Sequence, residues 1–247
     1  MTSVRYKRSG DIATITMDDG KVNALSTTML ADLGLAFDRA ETDEVIVVLT
    51  GREGIFSAGF ELGVLAEAGR EAASMLRAGF ELAYRVLSYR RPVIVACTGH
   101  AVAMGAFLLL AGDYRLGVER ADHKYTANEV AIGLTMPHAA ITICRSALTP
   151  AASRRAMDLA AIFTPEAALT AGFIDELVAP ELLLTRAHEY ALRLASLDPH
   201  AHVGTKLRTR SATLAQLREA IESDAAEFSA NGPPLTGSVT AKLTPQR

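Results

Sequence analysis

Two glycine-containing segments of the sequence carry the groups best suited to chemistry. The segment GIFSAGFEL (residues 54–62) predicts a strand that ends in Ser-Ala-Gly and is followed by a helix. The segment TGHAVAMGAF (residues 98–107) predicts a second strand-to-helix turn. The first N–H groups of a helix have no partner within it, and glycine lets the backbone approach a ligand closely. Together the two turns could bind one oxyanion, although spacing alone favours two ordinary connections.

Other catalytic and metal-binding patterns do not occur in the sequence. It contains no P-loop, no dinucleotide-binding glycine pattern, no HExxH and no GxSxG. His200 and His202 are more simply explained as solvated imidazoles than as metal ligands. Cys97 and Cys144 lack the spacing of a metal site or of a disulfide framework, and we interpret them as reduced thiols in the core. We therefore predict that no metal takes part.

Strands and helices alternate around these segments. A helix is predicted over residues 66–89, where apolar residues recur every three or four positions. Alternation or β-branched runs predict strands, in chain order, at DIATITMDD (11–19), VIVVLTG (45–51), PVIVACTG (92–99) and YRLGVE (114–119). This order favours the α/β class with crossover connections.

The last third of the chain is predicted to be mainly helical. Amphipathic helices are predicted over residues 180–197 and 213–228, with a hinge at 198–206 between them. The last helix must lay its apolar stripe either on its own core or on another subunit. The predicted division is a core of residues 1–197 and a C-terminal helical region of residues 198–247.

Composition and charge argue against several classes of protein. Of the 247 residues, 49% are apolar and 21% are charged, which favours a packed core over disorder. The net charge of −3 and the lack of a basic stripe do not suggest nucleic acid as a partner. The uncharged run from Ala101 to Gly112 is shorter than the roughly 20 residues of a membrane span, so a buried helix is predicted there. The segment MTSVRYKRSG has no apolar signal region, and we expect a cytoplasmic protein.

Four linked segments point to a known family. They are VNAL (22–25), FSAGFEL (56–62), PVIVACTGHAVAMGAFLLLAGDYR (92–115) and TANEVAIGLTMP (126–137). In this order and at these intervals they resemble the crotonase superfamily of enoyl-CoA hydratases and isomerases. The resemblance implies an α/β, crotonase-like spiral of ββα units, with a C-terminal helical region that packs across subunits in a homotrimer or homohexamer. The implied partner is an acyl-CoA thioester, and because coenzyme A is part of this substrate, no separate cofactor is expected.

The resemblance assigns two backbone donors to the thioester carbonyl. One is the N–H of Phe60, which follows the glycine of Ser-Ala-Gly, and the other is the N–H of Met104, in the triplet Ala103-Met104-Gly105. Removal of a proton next to a thioester builds an enolate, whose charge collects on the oxygen that these donors would hold. The resemblance also implies that the Met104 side chain narrows the pocket. The further substrate or coenzyme A contacts that it implies are Val22, Ala24, Ala58, Glu61, Leu62 and Phe107.

The acidic residues decide which reaction the resemblance implies. Hydratases of the family use two glutamates; Glu129 matches one of them, whereas Phe107 stands at the position of the other. A phenyl ring neither binds nor deprotonates water. A single Glu129 suits a proton shuttle that converts a 3-enoyl-CoA into the 2-enoyl-CoA. A dry pocket would raise the pKa of this carboxyl towards the working pH.

Three functions remain open at this point. The first is an enoyl-CoA isomerase of fatty-acid metabolism that uses Glu129, the second is an enoyl-CoA hydratase, and the third is a catalytically silent acyl-CoA-binding subunit. The pattern TGHAxAxG followed by DYR, and Pro137 eight positions after Glu129, look like the single-glutamate enoyl-CoA isomerases. Outside this linked pattern, Glu129 would be interpreted as an ordinary surface or ion-paired carboxylate.

Overall fold

The computed structural model describes residues 3–67 and 69–231. Its strands are β1 (Val4–Ser9), β2 (Ile12–Met17), β3 (Ala24–Leu25), β4 (Ile46–Thr50), β5 (Gly54–Ser57), β6 (Gly59–Phe60), β7 (Val93–Cys97), β8 (Gly99–Val102), β9 (Tyr114–Val118), β10 (Tyr125–Thr126) and β11 (Glu176–Val178). Its α-helices are α1 (Thr27–Thr42), α2 (Leu62–Glu67), α3 (Gly69–Ser88), α4 (Met104–Leu110), α5 (His138–Ala147), α6 (Pro150–Leu159), α7 (Pro165–Ala171), α8 (Leu183–Ala195), α9 (Pro199–Thr209) and α10 (Ser211–Asn231).

The largest sheet has six strands in the order β1-β2-β4-β7-β9-β11. β1 and β2 are antiparallel, and every later pair in this order is parallel. Every residue of β4 and β7 is buried, which explains their apolar runs, in which Thr50 at the end of β4 is the one polar residue. One face of the sheet packs on Leu183, Ala187 and Ala191 of α8. The other face belongs to the main core, on the side of α1 and α3.

Three consecutive ββα repeats generate a spiral. In each repeat the first strand joins the six-stranded sheet, the second joins a three-stranded sheet ordered β10-β8-β5, and a helix follows. The repeats are β4-β5 with α3, β7-β8 with α4, and β9-β10 with α5. The three-stranded sheet is parallel, so the connections that leave its strands lie at one edge. The predicted α/β spiral of ββα units is confirmed.

The predicted strands are confirmed as β2, β4, β7 and β9, whereas two other predictions are wrong. The uncharged run is not one helix, because Gly99–Val102 forms β8 and only Met104–Leu110 is helical. The predicted hinge at 198–206 belongs to helix α9, which the Asp198 side chain caps by accepting the N–H of Ala201. Among the described residues, no helix is both long enough and apolar enough to cross a bilayer.

The C-terminal helix α10 packs on the core of its own chain. It lies against α3 and α5, and Arg218 of α10 pairs with Glu81 of α3 at 2.6 Å. The buried residues of its apolar stripe are Leu214, Leu217, Ile221 and Phe228. Of the two alternatives for this stripe, the chain's own core is therefore the one observed. Residues 232–247 of the predicted C-terminal region lie outside the described residues, and both the division at 197 and the assembly of subunits stay predictions.

Candidate active site

Three connections meet at the carboxyl edge of the three-stranded sheet. Ala58 follows β5, Ala103 follows β8, and Glu129 comes shortly after β10. Ala101 of β8 is in register with Ser57 of β5 on one side and with Tyr125 of β10 on the other. Segments that are far apart in the sequence therefore end side by side, at the edge where parallel sheets commonly bind ligands.

These connections border a cavity of about 80 Å³, which we call the Glu129 cavity. Four of its lining residues were predicted from the sequence, namely Ala58, Phe60, Leu62 and Glu129. Besides Leu62 of α2, the α-helices contribute Leu65 of α2, Leu76 and Phe80 of α3 and Phe228 of α10, and Pro137 directly precedes α5. Among the described lining residues Glu129 is the only carboxylate, so any proton transfer by a carboxylate there must use it.

The two predicted oxyanion turns touch each other. Gly59 has φ +89°, and a Cβ on it would lie 2.8 Å from the carbonyl oxygen of Val102 and 3.2 Å from the nitrogen of Met104. Since Phe60 directly follows Gly59, the N–H groups of Phe60 and Met104 belong to segments in direct contact. Met104 begins α4, and the N–H of a first helical residue has no partner within its helix. The two assigned donors are thus neighbours, as binding of a single oxygen requires.

The backbone of the second turn is held in an unusual conformation. Ala103 has φ 51° and ψ −126°, a region that residues with a Cβ rarely adopt. Its N–H donates to the carbonyl of Thr126 at 2.9 Å, which ties the turn after β8 to β10. Backbone strain of this kind costs on the order of 1–3 kcal/mol and concentrates at functional sites.

The VNAL segment braces the first turn through its asparagine. Asn23 is fully buried, and its side-chain amide donates to the carbonyls of Met17 and Phe56, each at 3.1 Å. The Ser57 hydroxyl donates to the carbonyl of Asn23 at 2.7 Å and accepts the N–H of Gly59 at 3.1 Å. These bonds fix the backbone just before Phe60. Sequence reasoning did not assign this supporting role to Asn23 or Ser57.

Glu129 is a buried carboxylate on a tight turn. Its carbonyl accepts the N–H of Leu134 at 2.9 Å, and Gly133, at φ +84°, reverses the chain. The side chain is 6% exposed, and its Oε2 has no hydrogen-bond partner among the described residues. Burial away from water raises the pKa of Glu129 from its ordinary value of 4.5 to about 7. A carboxyl with this pKa can both take and return a proton near neutral pH.

Aromatic rings form one wall of the Glu129 cavity, and Phe107, which does not itself line the cavity, lies behind them. Phe107 is 1% exposed and stacks on Phe80 with ring centroids 6.2 Å apart. Phe80 in turn meets Phe60 edge-to-face at 6.1 Å, and both of these rings line the Glu129 cavity. This wall offers water no acceptor or donor from a side chain.

The remaining predicted site residues lie outside the Glu129 cavity. Met104 is fully buried, and its Cγ would be 3.5 Å from a Cβ on Gly79 of α3, so this side chain packs towards α3 rather than narrowing the cavity. Val22 is 47% exposed, Ala24 pairs with Gly59 in the two-stranded sheet, and Glu61 is exposed. Their contacts with coenzyme A stay predictions.

No cluster of metal ligands accompanies this site. Within residues 3–67 and 69–231, no three His, Cys, Asp or Glu side chains come together as metal ligands.

The spiral of ββα repeats, with paired strand-to-helix turns and one buried carboxylate, is the architecture of a crotonase-fold enzyme. The chain belongs to the enoyl-CoA hydratase/isomerase family, whose model matches residues 7–233. Enzymes of this family act on enoyl-CoA thioesters, so an acyl-CoA substrate is consistent with the apolar cavity.

Relatives with different reactions share this architecture. The mitochondrial enoyl-CoA delta isomerase 1 of Rattus norvegicus is 28% identical over 231 residues, which cover 91% of this chain and 79% of the relative. A carnitinyl-CoA dehydratase of Salmonella arizonae is 29% identical over 212 residues, covering 85% and 80%. The apo structure of an enoyl-CoA isomerase of Mycobacterium tuberculosis superposes with a TM-score of 0.88 at 50% identity, covering 92% of this chain and 99% of that one.

Proposed function

We propose that the protein is an enoyl-CoA isomerase that converts 3-enoyl-CoA thioesters into 2-enoyl-CoA thioesters, with Glu129 as its proton shuttle. The observation that carries this proposal is the pairing of one buried carboxylate, whose Oε2 has no partner among the described residues, with an aromatic cavity wall of Phe60 and Phe80 behind which Phe107 is stacked. Isomerisation needs one group that can take and return a proton, and hydration by the two-glutamate route needs a second carboxylate. The similarity to the enoyl-CoA delta isomerase 1 of rat supports the same choice, whereas the Mycobacterium tuberculosis relative is described both as an isomerase and as a probable hydratase.

The proposed mechanism moves one proton between two carbons. The Glu129 carboxylate takes a proton from C2, and the electron pair of the broken C–H bond delocalises into the thioester carbonyl. The N–H groups of Phe60 and Met104 hold the resulting enolate oxygen, and such donors are each worth about 10²–10³ in rate. The protonated Glu129 then gives its proton to C4 while the double bond forms between C2 and C3. The carboxylate is regenerated, and no other reactant is consumed.

A two-substrate assay tests this proposal. We expect the purified protein to convert 3-hexenoyl-CoA into 2-hexenoyl-CoA and to leave 2-hexenoyl-CoA without added water. Formation of 3-hydroxyhexanoyl-CoA from 2-hexenoyl-CoA would instead identify a hydratase. The similarity to a carnitinyl-CoA dehydratase is the observation that favours this second function. Binding of acyl-CoA with neither reaction would identify a silent binding subunit. Cytoplasmic location and assembly as a trimer or hexamer remain predictions beside this proposal.

The raised pKa of Glu129 predicts a one-sided pH profile. Only the ionised carboxylate accepts a proton from C2, so kcat/KM for 3-hexenoyl-CoA should rise with pH and level off above about 7. At pH 5 the rate should be about a hundredfold below this plateau, since each pH unit below the pKa removes tenfold of the ionised form. Initial rates between pH 5 and 9, with circular dichroism to verify folding, measure this. A rate that is flat across the range would contradict the assignment of Glu129 as the base.

A further inference from the structure

The Glu129 cavity is small, and its wall is largely hydrocarbon. Beside Glu129, its polar lining side chains among the described residues are Asn128 and Thr135. A cavity of about 80 Å³ has room for roughly three groups the size of a water molecule, at about 30 Å³ each. Methyl and methylene groups are close to this size, so the cavity matches a short, unbranched hydrocarbon chain.

One wall of the cavity comes from outside the three spiral repeats. Phe228 of α10 lines the cavity and is 4% exposed. Its ring thus fills space next to the residues of α3 and the connections that form the rest of the wall. A smaller side chain at this position would enlarge the cavity directly.

A buried carboxylate one helical turn before Phe228 fixes this wall in place. Asp224 is 3% exposed, and its two oxygens accept the N–H groups of His138 and Ala139, each at 2.9 Å. These two residues begin α5, directly after Pro137, which also lines the cavity. Because two charge-assisted bonds join α10 to the start of α5, Phe228 and Pro137 are held as one unit.

Resting on the proposed isomerase function, we infer that the substrates carry short, unbranched acyl chains and that Phe228 sets this limit. A longer chain would have to displace the Phe228 ring, and the Asp224 bonds oppose movement of α10. Among the described lining residues, Glu129 is the only charged side chain, and the proposed reaction itself uses it, so no charged group is left to bind a substituted acyl chain. Phe228 is therefore a specificity-determining residue, distinct from the groups that transfer the proton.

Saturated acyl-CoA thioesters test this inference without any chemistry. Binding of hexanoyl-CoA and decanoyl-CoA is measured by titration calorimetry for the parent protein, for Phe228→Ala and for the milder Phe228→Leu. The parent should bind hexanoyl-CoA more tightly. Each newly buried methylene is worth about fourfold in affinity, so Phe228→Ala should shift the ratio towards decanoyl-CoA by at least about tenfold, with Phe228→Leu in between.

Ile221→Ala is the matched control for this experiment. Ile221 lies on the same helix and is 1% exposed, but it does not line the cavity, so its removal weakens α10 without enlarging the site. Its ratio of the two affinities should equal that of the parent. An unchanged ratio in both Phe228 variants, or an equal shift in Ile221→Ala, would overturn the role of Phe228. A shifted ratio in a protein that does not isomerise 3-hexenoyl-CoA would leave the length limit standing and refute the proposed reaction.

Discussion

Glu129→Gln is expected to lower kcat for the isomerisation of 3-hexenoyl-CoA by about 10³–10⁴, the upper part of the range for general acid–base groups. The reason is that one carboxylate serves both proton transfers, and the described lining residues of the cavity include no second one. The amide has the same shape, so binding of hexanoyl-CoA should persist. Glu227→Gln, a change of the same kind at an exposed position beside Phe228, should leave kcat unchanged. Wild-type turnover by Glu129→Gln would refute the mechanism.

The same variant should be more stable than the parent at high pH. The folded protein binds the Glu129 proton more tightly than the unfolded chain, because the pKa is about 7 against 4.5. The free energy of unfolding of the parent therefore falls as the pH rises from 4.5 to 7. A difference of roughly 2.5 in pKa corresponds to about 3 kcal/mol, so Glu129→Gln should gain about this much over the parent at pH 8. Urea unfolding of both proteins at pH 5 and pH 8 measures the difference in their free energies of unfolding. Damage to the fold would lower the stability of the variant and would not make it more stable than the parent at pH 8.

Strands buried on both faces were the easiest part of the fold to predict from the sequence. β4 and β7 are apolar runs that end near a glycine, with Thr50 of β4 as the one polar residue, and burial on both faces favours apolar side chains throughout. The run after β7 was harder, because an apolar stretch without polar residues has no period that separates a strand from a helix. For this reason β8 was interpreted as part of the helix that follows it.

At residues 198–206 the sequence contained the signal of a helix start, but the signals of a hinge were given more weight in the prediction. Pro199, with the polar residues around it, suggested a hinge, although Asp198 before Pro199 is also the usual start of a helix. The structure follows this second signal and forms α9. Residue types near a proline therefore predict a boundary better than they predict what lies beyond it.

Some residues of the candidate site could be predicted from local sequence, whereas others depend on contacts between distant parts of the chain. The turns at Gly59 and Ala103 and the carboxylate of Glu129 lie in short segments, and the residue types of these segments were sufficient to predict them as site residues. Phe80 and Phe228 belong to ordinary apolar stripes, and a stripe does not tell which of its members faces a cavity. Their place at the site depends on how α3 packs against α10. This packing joins residues that are far apart in the sequence: Arg218 and Glu81, for example, are separated by 137 positions.

Gly59→Ala is expected to separate the two donors of the oxyanion site. A Cβ at this position would lie 2.8 Å from the carbonyl oxygen of Val102 and 2.9 Å from the Cβ of Ala103, both closer than real contacts allow. The turn that carries Met104 must then move away from Phe60. Loss of one aligned donor typically costs 10²–10³ in kcat, so we expect a decrease of about this size with 3-hexenoyl-CoA.

Gly54→Ala is the control that separates the loss of kcat from the loss of stability caused by placing alanine in a left-handed backbone conformation. Gly54 has φ +80°, close to the +89° of Gly59, but a Cβ there would meet nothing within 4 Å. Both variants should lose about 1–2 kcal/mol of stability from placing alanine in the left-handed region, and only Gly59→Ala should also lose kcat. Thermal unfolding and kcat measured on both variants resolve the two contributions. If Gly59→Ala and Gly54→Ala had equal kcat, the close contact between the two turns would not be what positions the donors. The left-handed backbone conformation, which both glycines share, would then explain the whole effect of Gly59→Ala.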